Sequence, residues 1–265
     1  MKTQKISATL AILTRNSGAT LTRALESAKD FSDIIICDGG STDGTLDIAG
    51  KYGARILEQD KKFLNASGRL FDYAGARNQC LDASRENWFF FLDSDEYCGE
   101  DLIATIRSTV TERQEGAFWI ERRYVRHGVV IDCATTYPNR QIRFFSKRSA
   151  EHFVKKMDER ILLKDGVSAE VLPGTLYVPF DMDIGGLRRK WDHQVAVDVA
   201  QRGSLTLWEF AGLTFGFAKV SLLYFLRLMR IMLFCHGTRM PFAFEMERHR
   251  LHLRLIAAFW QIVAF

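Results

Sequence analysis

Four largely apolar runs divide the first hundred residues, and each ends abruptly in polar ones. Ile6 to Leu13 stops at Thr14-Arg15-Asn16, Ile34 to Cys37 at Asp38, Ala54 to Leu57 at Glu58, and Trp88 to Leu92 at Asp93-Ser94-Asp95-Glu96. A run apolar on both faces predicts a strand buried in a mostly parallel sheet, and such sheets bind ligands beyond the carboxyl ends of their strands. Between the runs, apolar positions recur at helical spacing. Leu21, Leu25 and Ala28 predict a helix capped by Asn16 or Ser17, Ser41 or Thr42 opens one through Tyr52, and Tyr73 to Ala83 forms a third. Strand and helix alternating in units of thirty residues or fewer predict a parallel α/β sheet.

After a further helix over 101–111 the texture changes. Residues 118–125 and 141–145 read as strands around a loop bearing Gly and Pro, and 171–178 as another with a turn at Pro173-Gly174. A helix over 184–201 carries Leu187, Trp191, Val195 and Val199 on or near one face. From Leu205 to Cys235 and again from Leu251 to Phe265 the chain is apolar and aromatic, interrupted by single charges such as Lys219, Arg227 and Arg230. No window holds the eighteen or so uninterrupted apolar residues of a spanning helix. Cations spaced among Phe, Leu, Met and Trp fit helices lying in a membrane interface, while packing on the sheet or in a dimer interface is the plainer reading. A helical hairpin turning at His236-Gly237-Thr238 serves either.

Composition narrows this picture only slightly. A hydrophobic fraction of 47% and a charged fraction of 26% over 265 residues exclude disordered and fibrous classes and leave room for one large domain with an appendage. The net charge of +4 permits an anionic partner and demands none. Cysteines at 37, 80, 98, 133 and 235 show no zinc spacing and read as reduced core residues of a cytosolic protein, with no disulfide framework. The basic start, Met1 to Lys5, leads into a strand without a cleavage pattern, so no signal peptide is expected.

The chemistry gathers at the strand ends. In an extended segment Asp93 and Asp95 project to the same side and could share one hard divalent ion, with Ser94 turned away; alternatively Asp95 or Glu96 merely caps the next helix. Asp38 leads into Gly39-Gly40-Ser41-Thr42-Asp43-Gly44-Thr45, which is neither a dinucleotide fingerprint nor a phosphate loop. A carboxylate there can accept hydrogen bonds from a base or ribose, and glycine lets the backbone approach a ligand. A nucleoside diphosphate needs a cation between its phosphates and such acids. Arg77, early in its helix, could add a phosphate contact or form a surface ion pair. Arg140 and Arg143 could meet an anionic acceptor, or belong to the wet face of a strand.

Four segments together resemble the family 2 glycosyltransferases of the GT-A fold, in particular small bacterial enzymes that add a sugar to the lipopolysaccharide core. They are Ile12 to Asn16, Ile36 to Thr45, Gly75 to Asn78 and Phe91 to Glu96. The resemblance covers the first hundred residues and implies a Rossmann-like nucleotide-binding half with a mostly parallel sheet over 1–111. The residue pattern adds a mixed-sheet acceptor half over 112–204 and amphipathic helices over 205–265. The resemblance implies that Thr14 and Asn16 line the nucleotide pocket, that Asp38 binds the base and that Arg77 lies near the phosphates. Asp93 would face ribose or metal, and Asp95 would ligate Mg2+ or Mn2+. Core-sugar transferases tend to carry a His-Glu pair farther on. Here the Glu matches as Glu159, but Asp158 stands in the place of His. An inverting transfer needs a base opposite the leaving diphosphate, with Glu159 the first candidate and Asp158 the second.

The expectation is therefore an inverting, metal-dependent transfer from a nucleotide-sugar donor to a lipopolysaccharide core or other lipid-linked glycan. It would take place at the cytoplasmic face of the inner membrane, with peripheral contact through 205–265 and no nucleic-acid partner. A nucleotidyltransferase, or a membrane-peripheral nucleotide-binding protein without catalysis, is the alternative.

Overall fold

The computed structural model describes residues 4–65 and 68–264. Part of the basic N-terminal run lies outside the described residues. The chain forms two compact units: residues up to Arg123 with Pro138–Pro179, and Tyr124–Tyr137 with the chain from Phe180 onward.

The first unit opens with the expected alternation. It comprises β1 (Ile6–Thr14), α1 (Leu21–Ser27), β2 (Phe31–Asp38), α2 (Thr45–Lys51), β3 (Arg55–Glu58), α3 (Tyr73–Ala83) and β4 (Trp88–Asp93). A two-residue strand β5 (Tyr97–Cys98) and α4 (Glu100–Glu112) follow. Next come β6 (Ala117–Arg126), whose last residues pass into the second unit with β7 (Val129–Val130), and then β8 (Arg140–Ser146), β9 (Ala150–Val154), β10 (Arg160–Leu163) and β11 (Glu170–Pro179). The main sheet runs in the order β3-β2-β1-β4-β8-β6-β11-β5. Its β3 to β4 portion is parallel, while β8 is antiparallel to both β4 and β6. This α/β sheet is thus mixed, with helices flanking it, and the strands on either side of residue 112 join in one sheet.

Both faces of β4 are covered, as its unbroken apolar run requires. Phe90 and Leu92 enter one core with Leu10, Ile12 and Phe144, while Phe89 and Phe91 enter the other with Phe145 and Phe153. Trp88 stacks on Phe144 at 4.8 Å between ring centroids, and Phe91 meets Phe153 edge-on at 5.1 Å. Pairs of this kind add about 0.5–1.5 kcal/mol beyond their area burial. The strand that delivers the acids is therefore clamped at its base.

Some local expectations change. The first helix starts at Leu21, because Asn16 adopts a φ of 51° and its side chain binds the neighbouring loop instead of capping. The second starts at Thr45 after Gly44, with Asp43 accepting from the Thr45 amide at 3.0 Å. β11 runs through Pro173-Gly174 without a reversal. The β9-β10 hairpin was not foreseen, since its strands are short and lie among charges.

The second unit holds three helices: α5 (Ile184–Arg202), α6 (Leu207–Phe234) and α7 (Phe242–Trp260). A capping box of Thr206 and Glu209 opens α6. Cys133 and Cys235 form a disulfide, which corrects the expectation of reduced cysteines throughout; Cys37, Cys80 and Cys98 are free and buried. The partners lie 102 residues apart in sequence, a spacing that carries no pairing signal. Among the described residues no helix is long and apolar enough to cross a membrane.

Candidate active site

Strand register brings the sequence-derived residues together. Thr14 ends β1 opposite Asp38 at the end of β2, and Leu13 lies opposite Asp93 at the end of β4. Three adjacent parallel strands therefore deliver Thr14, Asp38 and Asp93 to one edge, where an α/β sheet takes its ligands. Every candidate residue belongs to the first unit.

Asp38 is buried and organises the loop beyond it. Its Oδ1 accepts from the Thr14 hydroxyl at 2.7 Å and the Ser41 hydroxyl at 2.6 Å, and its Oδ2 from the amides of Gly40 at 3.0 Å and Ser41 at 2.7 Å. Gly40 takes a φ of 81°, which glycine adopts without strain, so the chain can fold back onto the carboxylate. Asn16 fastens the β1 loop to this one: its amide donates to Ser41 Oγ at 2.8 Å, and its Oδ1 accepts from the Thr42 amide at 2.8 Å. A carboxylate offers about four acceptor positions, and four internal donors fill these. A base bound at Asp38 would displace one of them, and the Ser41 hydroxyl, a side-chain rotor, moves most readily.

The end of β4 carries a chain of alternating charges. Asp93 binds Arg77 Nη2 through Oδ1 at 2.5 Å and Arg143 Nη2 through Oδ2 at 3.0 Å. Arg77 Nε reaches Glu159 Oε1 at 3.4 Å, Arg143 reaches Glu96 at 3.4 Å, and Glu96 also binds Arg122. Arg77, Arg143 and Glu96 are almost fully buried. The run of ion pairs is thus Glu159, Arg77, Asp93, Arg143, Glu96, Arg122. Both arginines also face the Phe91 ring, at 4.7 and 4.6 Å from its centroid.

These neighbours set the protonation of the acids. Burial would raise the Asp93 carboxyl, but Arg143 and then Arg77 outweigh it and hold the group far below the usual carboxylate range. For Glu96 burial prevails: its pKa is raised, with Asp93 adding to the rise and Arg143 and Arg122 opposing it. Burial would lower the Arg143 pKa, yet Asp93 and Glu96 raise it, so this side chain stays charged.

Sequence reading misjudged two of these residues. Glu96, a candidate helix cap in the sequence, is a buried ion-pair partner. Arg143, read as bordering the acceptor, is buried beneath Asp93, whereas Arg140 is exposed and lies 3.7 Å from Glu121. A signal was available, because Phe144 and Phe145 point to opposite faces and both are buried, so β8 has no wet face there. An arginine in such a strand must be paired.

Asp95 is exposed and lies with Ser94 in the turn that follows β4. Among the described residues no group of three or more His, Cys, Asp or Glu side chains could hold a metal ion. Mg2+ needs only one or two carboxylates when phosphate oxygens complete its shell. With Asp93 engaged by two guanidinium groups, the donor set fits a cation arriving with a diphosphate at Asp95, not a preformed cage. Asp158 is exposed with a φ of 51°, while Glu159 is the member of the pair turned toward Arg77. His152 is exposed beside Glu151 at 3.8 Å.

Residues 9–154 match the family model described as glycosyl transferase family 2. The chain belongs to glycosyl transferase family 2. The family match takes in Thr14, Asn16, Asp38, Arg77, Asp93, Asp95 and Arg143, and it ends before Asp158 and Glu159. Over 122 residues the chain is 32% identical to a TPR repeat-containing protein of Synechococcus elongatus, a match covering 46% of this chain and 28% of that one. Over 101 residues it is 33% identical to an uncharacterized glycosyltransferase of Rickettsia bellii, covering 38% and 31%. It is also 34% identical over 116 residues to the Escherichia coli UDP-Glc:alpha-D-GlcNAc-diphosphoundecaprenol beta-1,3-glucosyltransferase WfaP, covering 42% and 44%. The chain spans about a third of the length of the first of these curated relatives, from 28% to 34%. Among solved structures, S. aureus TarS 1-349 in complex with UDP aligns with a TM-score of 0.45 at 13% identity, over 96% of this chain and 89% of that one.

Proposed function

We propose that the chain transfers a sugar, with inversion, from a nucleoside-diphosphate donor to a lipid-linked glycan such as the lipopolysaccharide core. The observation that carries this reading is the ion-paired run Glu159–Arg77–Asp93 at the carboxyl edge of a family 2 sheet. Arg77 orients the Glu159 carboxylate and ties it to the strand end where the donor phosphates would lie. In the transfer, Glu159 takes the proton of the acceptor hydroxyl as that oxygen bonds to the anomeric carbon. The bond from this carbon to the diphosphate oxygen breaks, and the nucleoside diphosphate leaves with the electron pair.

Thr14, Asn16 and Asp38 shape the loop that receives base and ribose, and Arg77 and Asp93 lie toward the diphosphate. Asp95 would hold Mg2+ or Mn2+, which when bound neutralises charge on the departing diphosphate. The first unit would carry the transferase chemistry, a narrower span than the 1–204 that the sequence suggests, and 205–265 would form an appendage on the membrane that carries the acceptor. The relative WfaP, whose acceptor is a diphosphoundecaprenol, supports a lipid-linked acceptor. We set the reaction at the cytoplasmic face of the inner membrane on account of the donor alone, since the Cys133–Cys235 bridge removes the cysteine argument for a reducing compartment.

A donor screen against extracted lipopolysaccharide and lipid-linked acceptors, read as a mass shift, tests the proposal. Glu159→Gln is expected to lower turnover roughly 10²- to 10⁴-fold, the usual range for a lost general base, and Asp158→Asn to leave it within a few-fold. Near-normal turnover in Glu159→Gln would remove it from the role. Nucleotide binding with no transfer to any acceptor would favour a non-catalytic binding protein.

A further inference from the structure

The longest helix of the chain leaves most of its circumference uncovered. α6 has 28 residues, about 42 Å at 1.5 Å per residue. One stripe faces inward: Phe217 stacks on Phe259 and His252, Ser221 bonds to His252 at 2.8 Å, and Leu228 is buried. The remaining faces expose large apolar side chains along the whole length, among them Trp208 (87% exposed), Phe215 (73%), Leu222, Leu226, Leu233 and Phe234 (69%). Two exposed charges, Lys219 and Arg230, stand among them, and both are cations. Glu209, the one acid of the helix, is engaged with Thr206 in the N-terminal cap.

We propose that this face of α6 binds an anionic lipid surface, lying in the plane of the interface. A contiguous apolar face this large marks an interaction site. Its width separates the occupants: a second helix packs along a narrow stripe repeating every third or fourth residue, whereas the exposed Met232, Phe225, Leu222, Leu226 and Val220 spread over about two thirds of the helix circumference. Lipid takes up such a wide arc, and cations set among apolar residues reach head groups while their stems stay in the acyl boundary. The helix lies on the membrane and does not cross it, since no helix among the described residues is long and apolar enough to span.

Co-sedimentation of the full chain with vesicles of phosphatidylglycerol and of phosphatidylcholine tests this. The proposal rests on the membrane appendage proposed above and names its face and the lipid charge; no sugar donor or acceptor enters the assay, so its failure is distinguishable from failure of the transfer reading. Stronger binding to the anionic vesicles is expected, weakening as salt rises. Lys219→Glu with Arg230→Glu should lower that binding about tenfold or more, at roughly 1 kcal/mol for each cation near the surface. Leu226→Ser with Leu233→Ser, both at exposed positions, should lower binding to both vesicle types while the circular dichroism spectrum stays that of the parent. Equal, weak binding of the parent to both would overturn the proposal. So would a dimer in analytical ultracentrifugation that Leu226→Ser with Leu233→Ser dissociates, because the face would then belong to a second copy.

Discussion

Arg143 is the residue whose role the sequence concealed most fully. It pairs with Asp93 and Glu96 in a buried setting, and without it Asp93 keeps only Arg77 and Glu96 only Arg122. Arg143→Met is expected to cost about 1–3 kcal/mol in denaturant unfolding followed by tryptophan fluorescence, since each acid keeps one cation. A change within experimental scatter would show that Asp93 is held by Arg77 alone. The pH dependence follows the two acids in opposite senses. Asp93, with its pKa depressed below the ordinary 3.8, contributes stability that is present above that value and fades as pH falls through the folded-state pKa. Glu96, with its pKa raised above 4.5, contributes stability that is complete below that value and is lost as pH rises. Asp93→Asn should therefore weaken the protein at neutral pH, and the deficit should shrink in acid. A constant deficit across the acid limb would contradict the assigned shift. The acid cluster itself was legible, because three carboxylates closing an apolar run are hard to mistake. Its partners were not, since an ion pair between Asp93 and Arg143 depends on the β4-β8 pairing.

Among the elements, local sequence was most informative where one pattern excluded the others. Helix α3 spans the expected Tyr73–Ala83, and the parallel order of β1 to β4 follows from their alternation with helices. The antiparallel half was harder to read. Pro173-Gly174 carries a turn signature, yet β11 passes through it because α4 packs against the strand at that point. Gly174 takes a φ of 117°, and a Cβ there would stand 2.5 Å from Leu102 Cα. Backbone cannot retreat as a flexible side chain can, so Gly174→Ala should destabilise by about 1–3 kcal/mol from strain at positive φ, with the clash in addition. Thermal unfolding monitored by circular dichroism checks this, and an unchanged midpoint would mean that α4 shifts freely. The β9-β10 hairpin escaped notice for a different reason: four or five residues among charges give too short a period to register. That hairpin sets Glu159 beside Arg77.

For the whole molecule, two compact units share a chain that crosses between them more than once, a division that no stretch of linker composition announces. The disulfide within the second unit was equally hidden by its long separation. Family membership was legible, and so was the gathering of the candidate residues at one edge of the sheet, because glycine turns and strand-end acids are local features. The central claim is that this edge binds a nucleoside diphosphate bridged to Asp95 by a divalent cation. Calorimetric titration of UDP into the full chain, with and without Mg2+ or Mn2+ and repeated on Asp95→Ala, addresses it most directly. The account predicts binding that needs the cation and is lost in the variant, and equal affinity in all three cases would contradict it.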